Sequence, residues 1–463
     1  MARLEKQLDR ALEQLGRVAE LEAELANLRE LLGRDSSNSN KPPSSDPPGT
    51  GAKAPKKKKK GRRRGGQRGH DGSHRELLPP ERMDAFEDYF PCECARCHAS
   101  LPQIPHPGAK RYQHTDLDRD GVFRTEHRRH RVACPSCGHE TWAKYDPNKI
   151  PRYPFGPGLM AAVVLLTGVY HLSRRRAVRL LWELLGVRMS VGAVSRIEKR
   201  MSDLVAPTVD EAVEHARAAE IKHADGTSWY RAGVMVSLWV LATAAVTVFK
   251  VLPDGQGETL REKLFIKVCG VLVSDRATAL KFWAMKRRQI CWAHLLRKFV
   301  SFSQRDGPAG RIGEELLGYT SIVFDYWSSF REGRLSRAEL IARMAPVRLH
   351  VEALLERAVA KDIKGLSGSC EDILEHREAL WTFVERAGVE PTNNHAEREL
   401  RAFVLWRRRS FGSQSERGDR FAERMMTIAH TLRKQGRSVL DFLVACCTPR
   451  PEGEPAPSLL AAS

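Results

Sequence analysis

Between Lys53 and Arg68 the chain has no acidic residue, although ten cations fall there. That absence excludes a folded core for the segment, which lacks both apolar side chains and charge balance. Acid is short elsewhere too: 57 Asp and Glu stand against 76 Lys and Arg, a formal charge of +19 over 463 residues. Taking the ten cations from +19 still leaves +9, so the basic excess is not confined to one tail. The balance points to a polyanionic partner, most simply nucleic acid. The N-terminus also lacks the apolar stretch and cleavage site of a secretory signal, which suits an intracellular chain. Long uncharged runs are scarce. Ala232 to Phe249 is the one that touches the length of a membrane span. Its Val, Thr and Trp content, with Ser237, Thr243 and Thr247 spaced through it, predicts two buried strands joined by a turn and no membrane partner.

Of the ten cysteines, four form the pairs Cys94-x-x-Cys97 and Cys134-x-x-Cys137. In an intracellular chain such pairs read as metal ligands rather than disulfides. Two thiolate pairs on tight turns close a tetrahedral site around Zn²⁺ and leave no open position, so the expected role is structural. Cys92 and His98 could each replace one ligand, and the bland alternative is cysteines packed as small apolar residues.

Taken in order, residues 1–34 space Leu4, Leu8, Leu15, Leu25 and Leu32 in heptad fashion, predicting a coiled coil and self-association. A single amphipathic helix lying on its own protein is the alternative. Residues 35–80 read as a disordered linker. Its Lys56, Lys57, Lys58, Arg62, Arg63 and Arg64 suit DNA phosphates, against the cheaper reading of a solvated charge run. Residues 81–145 make the zinc module. Residues 150–210 read as helical: Ala177 to Leu185 is one helix, Gly186 a turn, and Ser190 the cap of a second. That is the outline of a helix-turn-helix, shared by any αα-hairpin, and Arg196 and Lys199 tip it towards DNA. Residues 218–300 and 389–445 carry the chemistry, 301–388 are a helical insertion, and 446–463 a disordered tail.

The chemistry rests on three carboxylates. Asp225 ends the short strand IKHAD, Asp275 ends the apolar strand VLVSD, and Glu397 sits at the start of the basic helix in PTNNHAERELRAFVLWRRR. Asn394 is the expected N-cap, with Glu397 closing a capping box, and Glu397, Arg401 and Arg408 share a helical face. Singly, each acid could be a cap or a turn residue. Together they match what in-line phosphodiester chemistry needs: two Mg²⁺ ions, or Mn²⁺, about 3.5–4 Å apart, cradled by hard oxygen ligands.

HADGTSW, VSDRATAL, CWAHLLRKF and NNHAERELRAFVLWRRRSF, in this order, resemble the IS66-family transposases of bacterial insertion sequences. So do DSSNSNKPPSSD, RRRGGQRGHDGSHRELLP and RYPFGPGLMAAVVLL, and the resemblance covers nearly the whole chain. It implies a multidomain α+β protein with a ribonuclease-H-like α/β catalytic core, acting as a DDE transposase in the bacterial cytoplasm at the nucleoid. Asp225, Asp275 and Glu397 would be its metal triad, His294 and Arg297 active-site neighbours, and Arg401 a DNA contact. DNA ends, target DNA, a second copy and other element-encoded proteins are the implied partners. Two blocks depart from the family's usual pattern: Gly226 stands in place of a Glu and Ser228 in place of a small residue or Gly before the Trp, and Arg276-Ala277 replace Gly and Tyr. The competing function is a catalytically decayed transposase that still binds DNA. A simple nuclease shares the site but leaves the coiled coil, zinc module and helix-turn-helix without a purpose.

Overall fold

A computed structural model describes residues 76–118, 121–145, 153–266, 269–305, 307–363, 366–450 and 453–460. The coiled coil expected over 1–34 and the cations Lys56 to Lys58 and Arg62 to Arg64 lie outside the described residues. Among the described residues the fold is mixed α+β.

Strands β1 (Ala85–Tyr89), β2 (Lys110–Asp118) and β3 (Gly121–Arg129) form a small sheet ordered β1-β3-β2, with β2 antiparallel and β1 parallel to β3. Its buried Glu126 is held by Gln113, Arg111 and Arg128, the company a desolvated carboxylate requires. A second hairpin, β4 (Arg131–Ala133) and β5 (Glu140–Trp142), follows directly.

Helix α1 (Pro157–Val164) has no charge and is buried on most sides, as a core helix should be. In α2 (Arg174–Leu185) the Ser173 hydroxyl accepts the Arg176 N–H at the start, and Gly186 ends the helix at φ 61°. In α3 (Val191–Leu204) Ser190 accepts the Ala193 N–H. The helix–turn–helix outline thus stands where the sequence placed it, starting three residues earlier than Ala177. Arg196 and Lys199 are exposed on α3, Lys199 paired with Asp203 at 2.8 Å. A fourth helix, α4 (Ala206–Ala218), leads into the main sheet.

That sheet has strands β6 (Ile221–Arg231), β7 (Val234–Ala242), β8 (Thr247–Leu252), β9 (Val271–Ser274) and β10 (Arg288–Ile290), in the order β10-β9-β6-β7-β8, with the short helix α5 (Gly257–Lys263) between β8 and β9. β6, β9 and β10 run parallel, and β7 and β8 antiparallel. Side chains of β7 alternate between two cores: Leu238, Val240 and Ala242 face one, Trp239 and Leu241 the other. Burial on both faces explains why Ala232 to Phe249 carries no charge. It is two strands and a turn. Among the described residues no helix is long and apolar enough to cross a membrane.

Both sheet edges are closed. Along β8, Glu423, Thr427 and Thr431 of α12 (Glu416–Lys434) accept the backbone N–H groups of Val251, Phe249 and Thr247. Four helical residues rise about 6 Å and two strand residues about 6.7 Å, so the two repeats stay in step. On β10, Gln289 binds Leu380 O and the Phe383 N–H, and Trp292 Nε1 donates to Leu380 O. Leu380 ends a 3-10 turn (Arg377–Leu380) and Phe383 lies in α10 (Thr382–Glu385); both belong to the insertion, whose other helices α7 (Pro308–Arg331), α8 (Arg337–Ala360) and α9 (Ser367–Glu375) follow α6 (Trp292–Ser303). The insertion leaves and returns at one point, because the Trp292 N–H donates to Pro391 O at 2.8 Å. α11 (Asn394–Ser410), α12 and α13 (Val439–Cys447) complete the chain.

The expectation of a disordered tail from 446 is corrected. Cys446 and Cys447 are buried in α13, and Leu459 is fully buried in the core. Its carbonyl accepts from Gln435 Nε2, and Ser458 O from Arg437.

Candidate functional site

β6 and β9 pair in parallel as far as His223 opposite Val273. Asp225 and Asp275 each stand two residues further on, so the register sets them side by side on strands about 4.8 Å apart. Glu397 enters from the first turn of α11.

Asn393 fixes where that helix starts. It is the N-cap but caps with no side-chain bond, and Asn394 is the first helical residue, so the expected capping box does not form. The Asn393 amide instead donates to Ala224 O at 2.8 Å and lies 3.3 Å from His223 Nδ1, while its N–H donates to Cys291 Sγ at 3.1 Å. One buried residue therefore ties α11, by its side chain, to the residue before Asp225 and, by its backbone N–H, to the start of α6, which carries His294 and Arg297.

The electrostatics record the crowding. Burial, above all, pushes the Asp225 carboxyl up to about 7; Asp275 and Glu397 add to the rise, while the Gly226 N–H and Arg297 oppose it. Glu397 Oε1 lies 3.4 Å from His294 Nδ1 and 3.5 Å from Arg297 Nη2. Neither Glu397 Oε1 nor His294 Nδ1 makes a hydrogen bond, although both atoms are buried. Burial and then Arg297 lower the His294 pKa, which favours the neutral ring. Asp275 Oδ1 accepts the Ala277 N–H at 3.0 Å, and its carbonyl accepts from Arg288 Nη2 at 2.9 Å. The orphaned, buried Glu397 oxygen is an unmet acceptor that a cation fits; a Glu397 oxygen lies within 4.8 Å of Cys291 Sγ and a His294 ring nitrogen, whereas the carboxylates of Asp225, Asp275 and Glu397 do not all lie that close to one another.

Two pockets open here. One, about 940 Å³, is lined by Asp225, Glu397, Arg401 and the inserted helix α7; the other, about 490 Å³, by Asp275, Arg276 and Lys298. His294 and Arg297 line both. The structure so brings Asp225, Glu397, His294, Arg297 and Arg401 into one pocket, with Asp275 across the His294–Arg297 partition. Arg408 is exposed and lines neither. Its neighbour Arg407 turns inward instead and reaches the Thr227 hydroxyl at 3.2 Å, and Ser228 beside it.

Gly226 has a packing reason. A Cβ there would come within 2.9 Å of the Trp239 ring, so the indole occupies the room a side chain would need.

The second cluster is unlike the first. The sulfurs of Cys94, Cys97, Cys134 and Cys137 lie within 4.8 Å of one another and none is in a disulfide. The two turns match: Cys94 and Cys134 donate to Ala99 O and His139 O, and their carbonyls accept from His98 and Gly138 at 3.0 and 2.9 Å. His98 (φ 57°) and Gly138 (φ 70°) both take the left-handed conformation that closes such a turn. Burial raises the Cys94 thiol, yet backbone N–H groups of Cys97 and Arg96 and the neighbouring sulfurs outweigh it and bring it to about 6. The donor set fits Zn²⁺. Cys92 and His98 are not part of the cluster.

Sequence reasoning missed Asn393 and Arg288, and noted Arg276 without giving it a role. The doubled Asn in PTNN was the available signal for the first. Nothing in the sequence marked Arg288, buried beneath Asp275 and with its pKa pushed down to about 10 by burial, against the pull of Asp275.

Residues 3–76 match a family of unknown function (DUF6444). An uncharacterized protein of Sinorhizobium fredii, y4qI, is 30% identical over 221 residues, covering 44% of this chain and 40% of that protein. The match therefore spans less than half of that relative. The model of the Transposase IS66 family matches residues 152–420, more than half of the chain and a span that holds all three carboxylates. The chain belongs to the IS66 family of transposases.

Proposed function

We propose that this chain cuts the ends of a mobile DNA element and joins them to target DNA, using Asp225, Asp275 and Glu397 as its DDE triad. The observation that carries the reading is the mutual crowding of these acids, with burial, Asp275 and Glu397 driving Asp225 up to about 7. The strand order, which is 3-2-1-4-5 when β6 to β10 are counted from one, supports a ribonuclease-H-like core. Held by the three carboxylates, Mg²⁺ (or Mn²⁺) would neutralise charge on the attacking and leaving oxygens.

The remaining roles fall to the chain's own groups. His294 and Arg297 brace Glu397 from the partition between the pockets and face the reacting phosphate. Arg401, four residues beyond Glu397 on the same helical face, binds a DNA phosphate in the larger pocket. Water attacks phosphorus first and frees a 3′-hydroxyl; that hydroxyl then attacks a phosphodiester of the target and releases its 3′-oxygen. Arg196 and Lys199 on α3, Arg408, and the cations Lys56 to Lys58 and Arg62 to Arg64 supply backbone contacts. Self-association through residues 1–34 would pair two element ends.

The test is cleavage and joining of a labelled element-end duplex, with Mg²⁺ present or chelated, by wild type, Glu397→Gln and Asp275→Asn. Metal-dependent joining, lost in both variants while gel-shift binding persists, is the expected result. Binding without cleavage in any form, Mn²⁺ included, would make the protein a DNA-binding relic.

A further inference from the structure

The pocket beside Asp275 holds more positive charge than the three-carboxylate chemistry uses. It is lined by Asp275, Arg276, Lys298 and Asp372, together with His294 and Arg297 from the shared partition. Arg276 directly follows Asp275 in the chain. Its side chain is 18% exposed, and its Nε sits 2.9 Å from Asp372 Oδ2. That contact is off-line: buried Nε and Nη1 both lack a hydrogen-bond partner. Lys298 is half-buried, its ammonium 5.6 Å from the centre of the Phe302 ring, and it has no ion pair among the described residues.

Guanidinium donors that are buried and unmatched are costly, and a native site containing them calls for an acceptor. The acceptor is anionic: Arg297 already faces Glu397 at 3.5 Å, but Arg276 has donors left over beside Asp372 and Lys298 has no ion pair among the described residues. It must also offer several oxygens, which suits the planar fork of Arg276 and the point charge of Lys298. The pocket adjoins the one containing Asp225 and Glu397, so a strand lying across the triad carries a neighbouring phosphate into it. Asp372 holds the guanidinium at its Nε edge and leaves Nη1 for the ligand.

We infer that Arg276 and Lys298 form a second phosphate subsite, which grips a phosphodiester of the DNA strand next to the one held at the triad. This rests on the transposase reading given above. The inserted helix α9, through Asp372, thereby takes part in aiming the substrate.

The experiment uses the full chain with Arg276→Gln, Lys298→Gln and the double variant. DNA affinity is measured over a range of salt, and cleavage is measured on element-end duplexes carrying one neutral methylphosphonate at each position flanking the cut. Each lost phosphate contact lowers the slope of log affinity against log salt by about 0.9. We expect that drop for each single variant and twice it for the double. One neutral linkage should slow wild-type cleavage about 10- to 100-fold, the worth of a charged hydrogen bond. The same linkage should have no further effect in the variants. Wild-type slopes, together with full additivity at every linkage, would overturn the subsite and leave Arg276 as an ion-pair partner of Asp372. Should Arg276→Gln fail to fold, the half-exposed Lys298→Gln decides alone. A wild type that binds but never cleaves defeats the catalytic reading, while the salt slopes still judge the subsite; a wild type that does not bind DNA overturns both.

Discussion

The cysteine cluster and the proposed carboxylate triad are built on opposite plans. The sulfurs of Cys94, Cys97, Cys134 and Cys137 come from two matched turns, each closed by its own backbone hydrogen bonds. Asp225, Asp275 and Glu397 come from the middle of β6, the end of β9 and a helix start, separated by up to 172 residues of chain, and they open into two pockets. The first cluster fills a tetrahedron with protein atoms and leaves no room for a reactant. The second concentrates negative charge, keeps one buried oxygen without a partner, and faces open space. Local turns can build a closed structural site, but an open one needs the whole fold to press like charges together.

The comparison breaks hardest at the sulfurs. Apparent metal-binding free energies of structural zinc sites run about 10–16 kcal/mol near pH 7, and a module this small has little else to hold it. Cys134→Ser should abolish stoichiometric zinc in elemental analysis and strip hydrogen-exchange protection from β4 and β5, leaving β6 to β8 protected. Retained protection without metal would mean that the cysteines are packing residues. A smaller effect is expected at Asn393. Replacing it by Ala leaves the buried Ala224 carbonyl without its donor and should cost about 1–3 kcal/mol in denaturant unfolding. Because the same bond sets α11 against β6, cleavage should fall further than stability alone explains. An equal loss in both would make Asn393 a purely structural residue.

The same contrast explains what the sequence could reveal. Cys-x-x-Cys pairs are local, so their spacing announced the cluster. The uncharged run became β7 and β8 because a strand buried on both faces must be apolar throughout. Asp275 was visible as an acid ending an apolar strand, but the expectation that Asp225 ends IKHAD is corrected: β6 runs on to Arg231 and Asp225 lies inside it, because the polar residues that follow still pair in the sheet. Asn393 was not visible in its true role: its partner Ala224 is 169 residues away, and a local cap was the stronger pattern. Arg288 carries no periodic signature, and only tertiary burial singles it out; Arg276 stood out as an unexpected residue beside Asp275, but its role did not. The tail misled for a similar reason. Its Pro and Ala content suggests disorder, yet Gln435 and Arg437 bind its carbonyls and Leu459 fills a core position.

The smallest effect is the most diagnostic, because its sign is unusual. In the metal-free fold Asp225 titrates near 7, above its ordinary value of 3.8, since burial and the two neighbouring acids disfavour its charge. Between those two pH values the folded chain holds a proton that the unfolded chain has released. The group therefore adds stability as pH falls from about 7 to about 4, and that contribution is lost as pH rises through 7. Asp225→Asn removes the penalty of a crowded charge. With a chelator present, at a pH above 7, the variant should be more stable than wild type by about 1–2 kcal/mol, allowing for solvent screening. Near pH 4 the difference should close. Mg²⁺ should then raise the melting temperature of wild type more than that of the variant, because only wild type has the third charge to neutralise. No cysteine substitution in the other cluster should stabilise the chain at any pH. A variant equal to wild type at both pH values, metal-free, would mean the three acids are not crowded and would remove the main support for treating them as one site.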